Sequence, residues 1–516
     1  MDQNRRSFLE QVGQGVLLAG VGSQICGDLG LGSAAAAEGP TRLTFGKLEP
    51  LVDTLQTTTP AKLLPLLADR LKKGTKLEDL VGAAALANAR QFGGQDYIGF
   101  HTMMALSPAL AMSKELPSDR KALPVLKVLY RNSSRIEAAG GKEVLTPVEP
   151  ATLPKDARDS EVIRAATRRK DIKAGEQALV AIAKNSADDA LNQVLYAIED
   201  ETDVHRVVMA YRSWDMLDLL GKEMAHVMLR QSVRYCIQQE RPNRYIRHGD
   251  CRAILPKLLE KHGLMNKAAG KKKLDDKALV RLSQDIFSTT PEQAAGLAAE
   301  ALANGISPDT LGEAISLAAC DLVLRDPGRP KGQTGPGKPE GSTHGDSIGV
   351  HACDSVNAWR NLARAANPRN SAACLILAAF HVTQDRSHRS SDFTSRENYP
   401  LAAHLEKVKG TEAADLLREA EAGIKAKDQT VAAAAIHRYL ELKHPEKDAF
   451  GLMLRYAISE DGALHAEKFY KTTREEYART RPAFRGRYLV ALARVTASAC
   501  GQPAPGYAEA CKILGV

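Results

Sequence analysis

The chain has 516 residues, a formal net charge of +8, 44% hydrophobic residues and only 5% aromatic residues. A chain of this length is too long to fold around one ordinary hydrophobic core. It predicts several domains or one large repeated architecture. A mean hydropathy of −0.27 excludes a polytopic membrane protein. Few aromatic residues together with many Ala, Leu, Glu, Lys and Arg residues favour helices over sheets.

The N-terminal segment carries the three parts of an export signal in the usual order. Residues 4–9, Asn-Arg-Arg-Ser-Phe-Leu, resemble the twin-arginine motif, and a Gly-rich apolar stretch over 12–25 follows them. A run of small residues then predicts cleavage after Ala37. The expected signal peptide is therefore 1–37, its partner is the twin-arginine export machinery, and the destination is the periplasm or the exterior. The apolar stretch is too short for a permanent membrane span.

Several ligand classes have no signature after residue 37. The seven remaining cysteines include no Cys-x-x-Cys pair, which excludes covalent c-type haem and argues against zinc-ribbon or iron–sulfur sites. No Walker loop or Rossmann fingerprint occurs, so no nucleotide cofactor is expected. The run Lys271-Lys272-Lys273 predicts a solvated linker, and the lack of a basic patch with interleaved aromatics argues against nucleic-acid binding.

The chain is similar to itself at a slowly growing offset. Thr59-Pro60 recurs 231 residues later as Thr290-Pro291, and the same offset aligns eight further positions between 66 and 87 with 297 to 318. Residues 96–101 recur as 346–351 at an offset of 250, and the Tyr-Ala-Ile of 196–198 recurs at 456–458 at an offset of 260. Fixed-offset similarity of this kind indicates internal duplication.

The apolar periodicity between these landmarks is helical, which predicts an all-α protein whose two halves are related by a pseudo-twofold axis. We expect a first helical half over 38–262, a basic linker over 263–275 and a second half over 276–516. In both halves the Thr-Pro pair should begin a helix, and Gly74 or Gly305 should end it. A Gly/Pro-rich insertion over 326–345 is either a lid or a tolerated surface loop.

Two pairs of histidines occupy equivalent positions in the two halves, namely His101 with His351 and His205 with His465. Because the rest of the sequence has diverged, the four imidazoles are candidate ligands of a transition metal such as iron, copper or manganese. Asp96 and Asp346, five residues earlier, are candidate cofactor-binding carboxylates that would act as ligands or orient them. Acidic residues also precede the second pair: Glu199, Asp200, Glu201, Asp203, Glu460 and Asp461.

A structural role for the same histidines is the alternative, in which each imidazole ties a neighbouring helix or loop by a hydrogen bond. The paired glycines Gly99 and Gly349 favour that alternative, because a retained glycine indicates close packing. The two interpretations differ in geometry. A shared site requires the four imidazoles to converge to within about 8 Å, whereas structural histidines would be scattered and bonded to backbone groups.

Candidate catalytic groups occur in one half only. His381 and Asp385 follow a strongly apolar helix, whereas the equivalent stretch of the first half, 130–135, lacks both residue types. His226 is likewise unpaired. An active site retained in one half of a duplicated protein would produce this asymmetry, and so would drift.

Three short histidine-centred pieces resemble the helical motifs of questin oxidase-like proteins. They are His101-Thr-Met-Met-Ala-Leu, the element from His344 to His351, and His381-Val-Thr. Those proteins are all-α oxidoreductases of aromatic polyketide metabolism, so the resemblance implies an oxidoreductase. The sequence therefore favours an exported, metal-dependent oxidoreductase acting on an unknown small molecule. The alternative is a non-catalytic periplasmic helical repeat protein that binds a partner or a polymer.

Overall fold

A computed structural model describes residues 42–140, 143–154, 161–241, 249–387 and 393–516. The predicted signal peptide lies outside these ranges. Within them the chain is all-helical as predicted, and its only β pairing consists of isolated bridges such as Lys272 with Ile306. No helix in the described part of the chain combines the length and apolar character that crossing a bilayer requires.

The described residues before the linker form twelve α-helices, which are numbered in chain order. They are α1 (Glu49–Thr57), α2 (Pro60–Lys72), α3 (Leu77–Phe92), α4 (Tyr97–Ser113), α5 (Leu123–Ala138), α6 (Val162–Arg168), α7 (Ile172–Ala183), α8 (Ala187–Ile198), α9 (Val204–Asp215), α10 (Leu217–Leu220), α11 (Ala225–Gln238) and α12 (Cys251–Lys261).

The part after the linker forms a second series. It consists of α13 (Asp276–Ser288), α14 (Pro291–Ala303), α15 (Pro308–Arg325), α16 (Ile348–Ala365), α17 (Pro368–Ser387), α18 (Ala402–Leu405), α19 (Ala413–Lys425), α20 (Gln429–Glu441), α21 (Glu446–Ser459), α22 (His465–Arg479), α23 (Pro482–Ala499) and α24 (Tyr507–Leu514). Short 3₁₀ turns cover Gly46–Leu48, Lys222–Met224 and Lys331–Gln333.

The predicted helix boundaries at the Thr-Pro pairs are observed. Helix α2 begins at Pro60 and α14 begins at Pro291, where Thr290 caps the helix by accepting a hydrogen bond from the Gln293 N–H. Gly74 and Gly305 follow the ends of these helices with φ of +96° and +78°. Only glycine adopts this left-handed conformation without a steric cost.

Within the described residues each series consists of eleven α-helices once the short α10 and α18 are set aside. An equal number is what duplication would produce, and the duplication itself stays a prediction. Four helices pack around one another: α4 contacts α9 and α22, and α16 contacts the same two helices. The centre therefore combines two helices from each half of the chain.

The insertion over 326–345 is largely irregular and folds back onto the second half. Its His344 ring contacts the Ser498 hydroxyl at 2.8 Å and the Gly337 carbonyl oxygen at 2.9 Å. Thr343 contacts Gln429 through its hydroxyl, also at 2.8 Å. These contacts fix the C-terminal end of the insertion next to the start of α16.

Candidate functional site

The four paired histidines lie at the N-terminal ends of the four central helices. His101 is in the first turns of α4, His205 is the second residue of α9, His351 is in the first turn of α16, and His465 is the first residue of α22. Because these helices contact one another in a closed cycle, their N-terminal ends bring the four imidazoles together. We call this set the histidine cluster.

The imidazole rings of the cluster form a closed ring of neighbours. The centroid distances are 4.9 Å for His101–His205, 5.8 Å for His205–His351, 5.4 Å for His351–His465 and 5.2 Å for His465–His101. The closest nitrogens are Nε2 of His351 and Nε2 of His465, 3.3 Å apart. The four rings are thus closer than the 8 Å that a shared site requires.

Backbone carbonyl groups set the tautomer of two cluster members. His101 Nδ1 lies 2.6 Å from the Tyr97 carbonyl oxygen, and His465 Nδ1 lies 3.2 Å from that of Gly462. A carbonyl oxygen only accepts hydrogen bonds, so Nδ1 carries the proton in both rings. Nε2 of both neutral rings therefore presents a lone pair, and Nε2 of His101 is buried with no hydrogen-bond partner.

Burial favours the neutral form of three members of the cluster, His101, His351 and His465. It lowers the pKa of His351 to about 3, assisted by repulsion from His205 and Lys468. The pKa values of His101 and His465 also lie well below their usual value, because of burial first and the charge of Lys468 second. Neutral imidazole is the form that binds metal ions.

Aromatic side chains surround one edge of the cluster. The Tyr97 ring packs on His101 at 4.5 Å between centroids and lies 5.6 Å from His205, although the residue is 57% exposed. Phe100 contacts both histidines from the buried side and packs edge-on against Tyr235. The cluster therefore approaches solvent beneath an exposed tyrosine.

Lys468 is a buried cation beside the cluster that the sequence analysis did not single out. Burial lowers its pKa to about 8, against the attraction of Asp354 and Glu467. It stands three residues after His465 on α22, and the equivalent position in the first half is Val208. A search based on paired residues could not find it, because its pair is apolar.

The predicted cofactor-binding carboxylates are held by arginine side chains. Asp96 caps α4 by accepting a hydrogen bond from the Gly99 N–H at 2.7 Å, and it pairs with Arg135. Burial alone would raise the pKa of Asp96, but these donors lower it below its usual value. Asp346 pairs with Arg329 and, at 2.8 Å, with Lys338.

Most of the acidic residues before His205 and His465 form ion pairs with arginines. Glu199 pairs with Arg164 at 2.9 Å and Asp200 with Arg168 at 2.7 Å. Asp461 pairs with Arg131 at 2.9 Å. Because these carboxylates are paired with arginines, the imidazole nitrogens are the main metal-ligand atoms that the cluster offers.

Asp203 is the acidic residue that reaches the cluster. It caps α9 by accepting from the Arg206 N–H at 2.9 Å, and it accepts a further hydrogen bond from the Tyr235 hydroxyl at 2.9 Å. Its nearest oxygen lies 3.9 Å from His205 Nδ1. Burial on its own would raise the pKa of Asp203, but His205 and these hydrogen-bond donors lower it more strongly. The pKa therefore lies below its usual value, and the carboxylate is charged.

The predicted catalytic pair lies at the edge of the same region. The C-terminal end of α17 meets the start of α9 where the Thr202 hydroxyl donates to Gln384 at 2.6 Å. His381 accepts from the Trp359 indole N–H at 3.3 Å and lies 3.8 Å from Asp385. Burial, and next the charge of Asp203, raises the pKa of Asp385 well above its usual value. His381 and Asp385 are therefore neighbours of the cluster.

His226 is not brought to this region by any observed contact. It lies in α11, where its Nδ1 contacts the Glu223 carbonyl oxygen at 2.8 Å, and burial lowers its pKa. Its hydrogen bond is local to its own helix start. Helix α11 packs against α9, but no hydrogen bond or ion pair among the described residues joins His226 to the other candidate residues.

No protein family, curated protein or solved structure matches this chain. The resemblance to questin oxidase-like proteins therefore rests on the three sequence pieces alone. Among the described residues, no three His, Cys, Asp or Glu side chains already hold their donor atoms around one point as metal ligands do. The chemistry must be argued from the imidazole geometry itself.

Proposed function

We propose that the histidine cluster binds one transition-metal ion and that the protein is a metal-dependent oxidoreductase. The observation that carries this proposal is the closed ring of four imidazoles, two from each half of the chain, at centroid distances of 4.9 to 5.8 Å. Imidazole is the side chain that binds iron, copper and zinc most readily. Burying four polar imidazoles side by side costs free energy, and a bound ligand would offset that cost.

The separation of the two closest nitrogens fits shared coordination. Two imidazole nitrogens bound to one tetrahedral ion at about 2.0–2.1 Å lie about 3.3 Å apart. Nε2 of His351 and Nε2 of His465 have that separation. His101, whose Nε2 is a buried lone pair, and His205 would complete the site after rotation of their rings.

The donor set favours a redox-active metal of intermediate softness. Four imidazole nitrogens without a bound carboxylate suit copper or iron better than manganese, which prefers oxygen ligands. The positive ends of four helix dipoles oppose a cation, so direct coordination has to supply the binding energy. The same field, together with Lys468, favours a substrate with a negatively charged oxygen.

The surroundings supply the other parts of a small-molecule site. The exposed Tyr97 and Ile98 offer an apolar, partly aromatic approach to the cluster. Asp385 is a buried carboxyl group whose pKa is raised well above its usual value, which favours the protonated form that can donate a proton. Its neighbour His381 would accept a proton and return it. These features favour an aromatic substrate with an ionisable hydroxyl group.

Metal titration of the full chain tests the binding part of the proposal. Metal-free protein titrated with Co²⁺ or Cu²⁺ should take up about one ion per chain, and the His351→Gln/His465→Gln variant should take up less than about 0.2. His437→Gln is the matched control, because that exposed histidine lies on α20 away from the cluster. Equal uptake by the cluster variant and the control would refute the assignment.

Oxygen consumption tests the redox part separately. With hydroquinone as reductant, one hydroquinone loses two electrons and two protons to become quinone, and one O₂ becomes H₂O₂. The copper- or iron-loaded protein should show this reaction and the cluster variant should not. A protein that binds metal but gives no turnover with hydroquinone or a related phenol would retain the metal site and lose the oxidoreductase assignment.

A structural role for the cluster has one observation in its favour. The Nδ1 atoms of His101 and His465 bond to backbone carbonyls, and the 3.3 Å contact between His351 and His465 also fits an imidazole–imidazole hydrogen bond. This is what a non-catalytic helical repeat protein would retain. Under this alternative the cluster variant loses stability, and no metal binds to either protein.

Export through the twin-arginine pathway completes the proposal, because that pathway transports proteins already folded around their cofactor. A fusion of residues 1–45 to a reporter should reach the periplasm of a bacterium with the pathway and stay inside a strain that lacks it. Arg5→Lys/Arg6→Lys should block transport, and Arg42→Lys, which lies in the same segment after the predicted signal, is the control. Transport of the double variant at the normal rate would contradict this route.

A further inference from the structure

A large cleft of the described structure lies away from the histidine cluster. It has a volume of about 1120 Å³ and forms between the linker and the C-terminal ends of α16 and α22. His351 and His465 lie at the opposite ends of those two helices, so a rise of about 1.5 Å per residue puts Arg360 roughly 13 Å and Arg479 roughly 21 Å further along them. The cleft is therefore a separate site.

The lining of this cleft is strongly basic. Seven of its lining residues are Lys or Arg and three are Asp or Glu. Three of the arginines are compensated: Arg360 pairs with Glu476, Arg364 pairs with Asp309 at 2.6 Å, and Arg481 pairs with Glu313 at 3.0 Å and Asp276 at 2.8 Å. These pairs use all three acidic residues of the lining.

Four cations of the lining remain without a carboxylate of the cleft: Lys267, Lys271, Lys273 and Arg479. Lys271 and Lys273 are exposed side chains of the linker. The excess of four charges equals half of the +8 carried by the whole chain, although the cleft uses a small fraction of its surface. Such a concentration of one sign of charge in a concave site attracts anions.

Arg479 is the group in the cleft that most needs an anion. Its side chain is 26% exposed, and its Nη1 is buried with no hydrogen-bond partner, the nearest carboxylate being Glu475 at 3.8 Å. Burial lowers the pKa of this guanidinium, the Glu475 carboxylate acts against that effect, and the neighbouring charge of Arg364 lowers the pKa again. An anion in the cleft would accept the unused donor and offset both penalties.

The helix directions add to this field. The N-terminal ends of α13, α15, α17 and α23 meet the cleft at Asp276, Ser307, Pro368 and Arg481. The unpaired N–H groups and the positive dipole end of a helix favour anions there. Asp309 and Asp276 offset part of this effect at two of the four ends.

We propose that this cleft binds a small polyanion with at least two phosphate or carboxylate groups. The volume lies slightly above the usual range of about 300–1,000 Å³ for small-molecule sites, and two separated oxyanions are needed to reach both Arg479 and the linker lysines. This inference is independent of the metal proposal, since none of the cluster histidines lines the cleft. It gives the tri-lysine run a binding role in place of the predicted solvated linker.

Calorimetric titration of the full chain with pyrophosphate and, separately, with citrate at constant ionic strength tests this inference. Saturable 1:1 binding of either anion is expected, and the anion that binds more tightly identifies the phosphate or the carboxylate class. Lys271→Gln/Lys273→Gln should weaken that binding at least about tenfold, as should Arg479→Gln, since each removes charge-assisted hydrogen bonds. The lysine variant changes only exposed side chains, so it should fold normally.

Lys62→Gln/Lys72→Gln is the matched control, because it removes the same charge from exposed positions of α2. The control should bind within about twofold of the unmodified protein. No saturable binding of either anion below about 10 mM would overturn the inference. So would equal weakening by the linker variant and the control, which would show a general charge effect.

Discussion

The backbone immediately before His465 is held in a conformation that side chains oppose. Ala463 and Leu464 have φ of +48° and +64°, in the left-handed region where a Cβ costs roughly 1–2 kcal/mol per residue. The turn places Nδ1 of His465 against the Gly462 carbonyl oxygen. Strain of this kind persists where the surrounding structure fixes a functional side chain.

Replacing Ala463 with glycine should therefore stabilise the protein. We expect Ala463→Gly to raise the free energy of unfolding by about 0.5–1 kcal/mol, because glycine adopts positive φ without steric cost. Urea denaturation measures the change. Ala466→Gly, inside α22, is the control and should lower the free energy of unfolding by about 1 kcal/mol. Destabilisation by both variants would show that the turn is unstrained.

Asp385 makes the stability of the protein depend on pH in a direction opposite to that of most carboxylates. Burial raises its folded-state pKa above the ordinary value of 3.8, so the folded protein retains a proton that the unfolded chain releases. The stability that the neutral carboxyl contributes is complete below pH 3.8 and is lost as the pH rises toward the folded-state pKa.

Asp385→Asn should remove this dependence. The variant is expected to be more stable than the unmodified protein at pH 7, and the difference should shrink as the pH falls to about 4. Denaturation at several pH values measures it. A difference that grows toward acid pH would mean that Asp385 is ionised in the folded state, and its role as a proton donor would have to be abandoned.

The sequence predicted the four members of the histidine cluster better than it predicted the roles of the charged side chains around them. The four histidines could be named because both halves of the sequence carry them at equivalent positions. The roles of Asp96 and Asp346 could not be settled, because Arg135 and Arg329, which pair with them, lie in other segments of the chain. Lys468 has no equivalent in the first half, so no pattern marked it.

At the scale of helices, a buried ion pair joins the two halves beside the histidine cluster. Lys127 on α5 lies 2.7 Å from Glu467 on α22, and both side chains are almost fully buried. Its ammonium group also donates to the carbonyl oxygens of Ala457 and Glu460. The pair therefore connects the first half to α22 and to the end of α21.

Breaking this pair from one side should be costly. We expect Lys127→Met to lower the free energy of unfolding by about 3–5 kcal/mol, because it leaves the Glu467 carboxylate buried without a counter-charge. Adding Glu467→Gln should recover part of the loss. Lys121→Met, an exposed change just before α5, should have little effect. A loss under about 1 kcal/mol for Lys127→Met would contradict the buried pairing.

At this scale the sequence predicted the helical class and several helix ends accurately. It did not predict how the helices pack. Thr-Pro pairs and glycines mark helix ends because the backbone preferences of these residues are local. A short segment shows these preferences without contacts to the rest of the chain. The cycle of α4, α9, α16 and α22 depends on contacts between segments more than 100 residues apart. A single sequence holds no direct record of those contacts.

At the scale of the whole molecule, the protein carries two different kinds of site. One lies at the common centre of the two halves, and the other lies at the far ends of two central helices. The centre holds the four imidazoles and lies beneath Tyr97. The far cleft is open and positively charged. The net charge that looked diffuse along the sequence is concentrated by folding, because the linker lysines and Arg479 meet only in three dimensions.

The metal content of the purified full chain tests the central claim most directly. Elemental analysis after expression with iron and copper in the medium should give about one transition-metal ion per chain. The His351→Gln/His465→Gln variant, prepared in parallel, should give almost none. Less than about 0.2 ion per chain in the unmodified protein, with none taken up on reconstitution, would contradict the claim and leave the four histidines as structural residues.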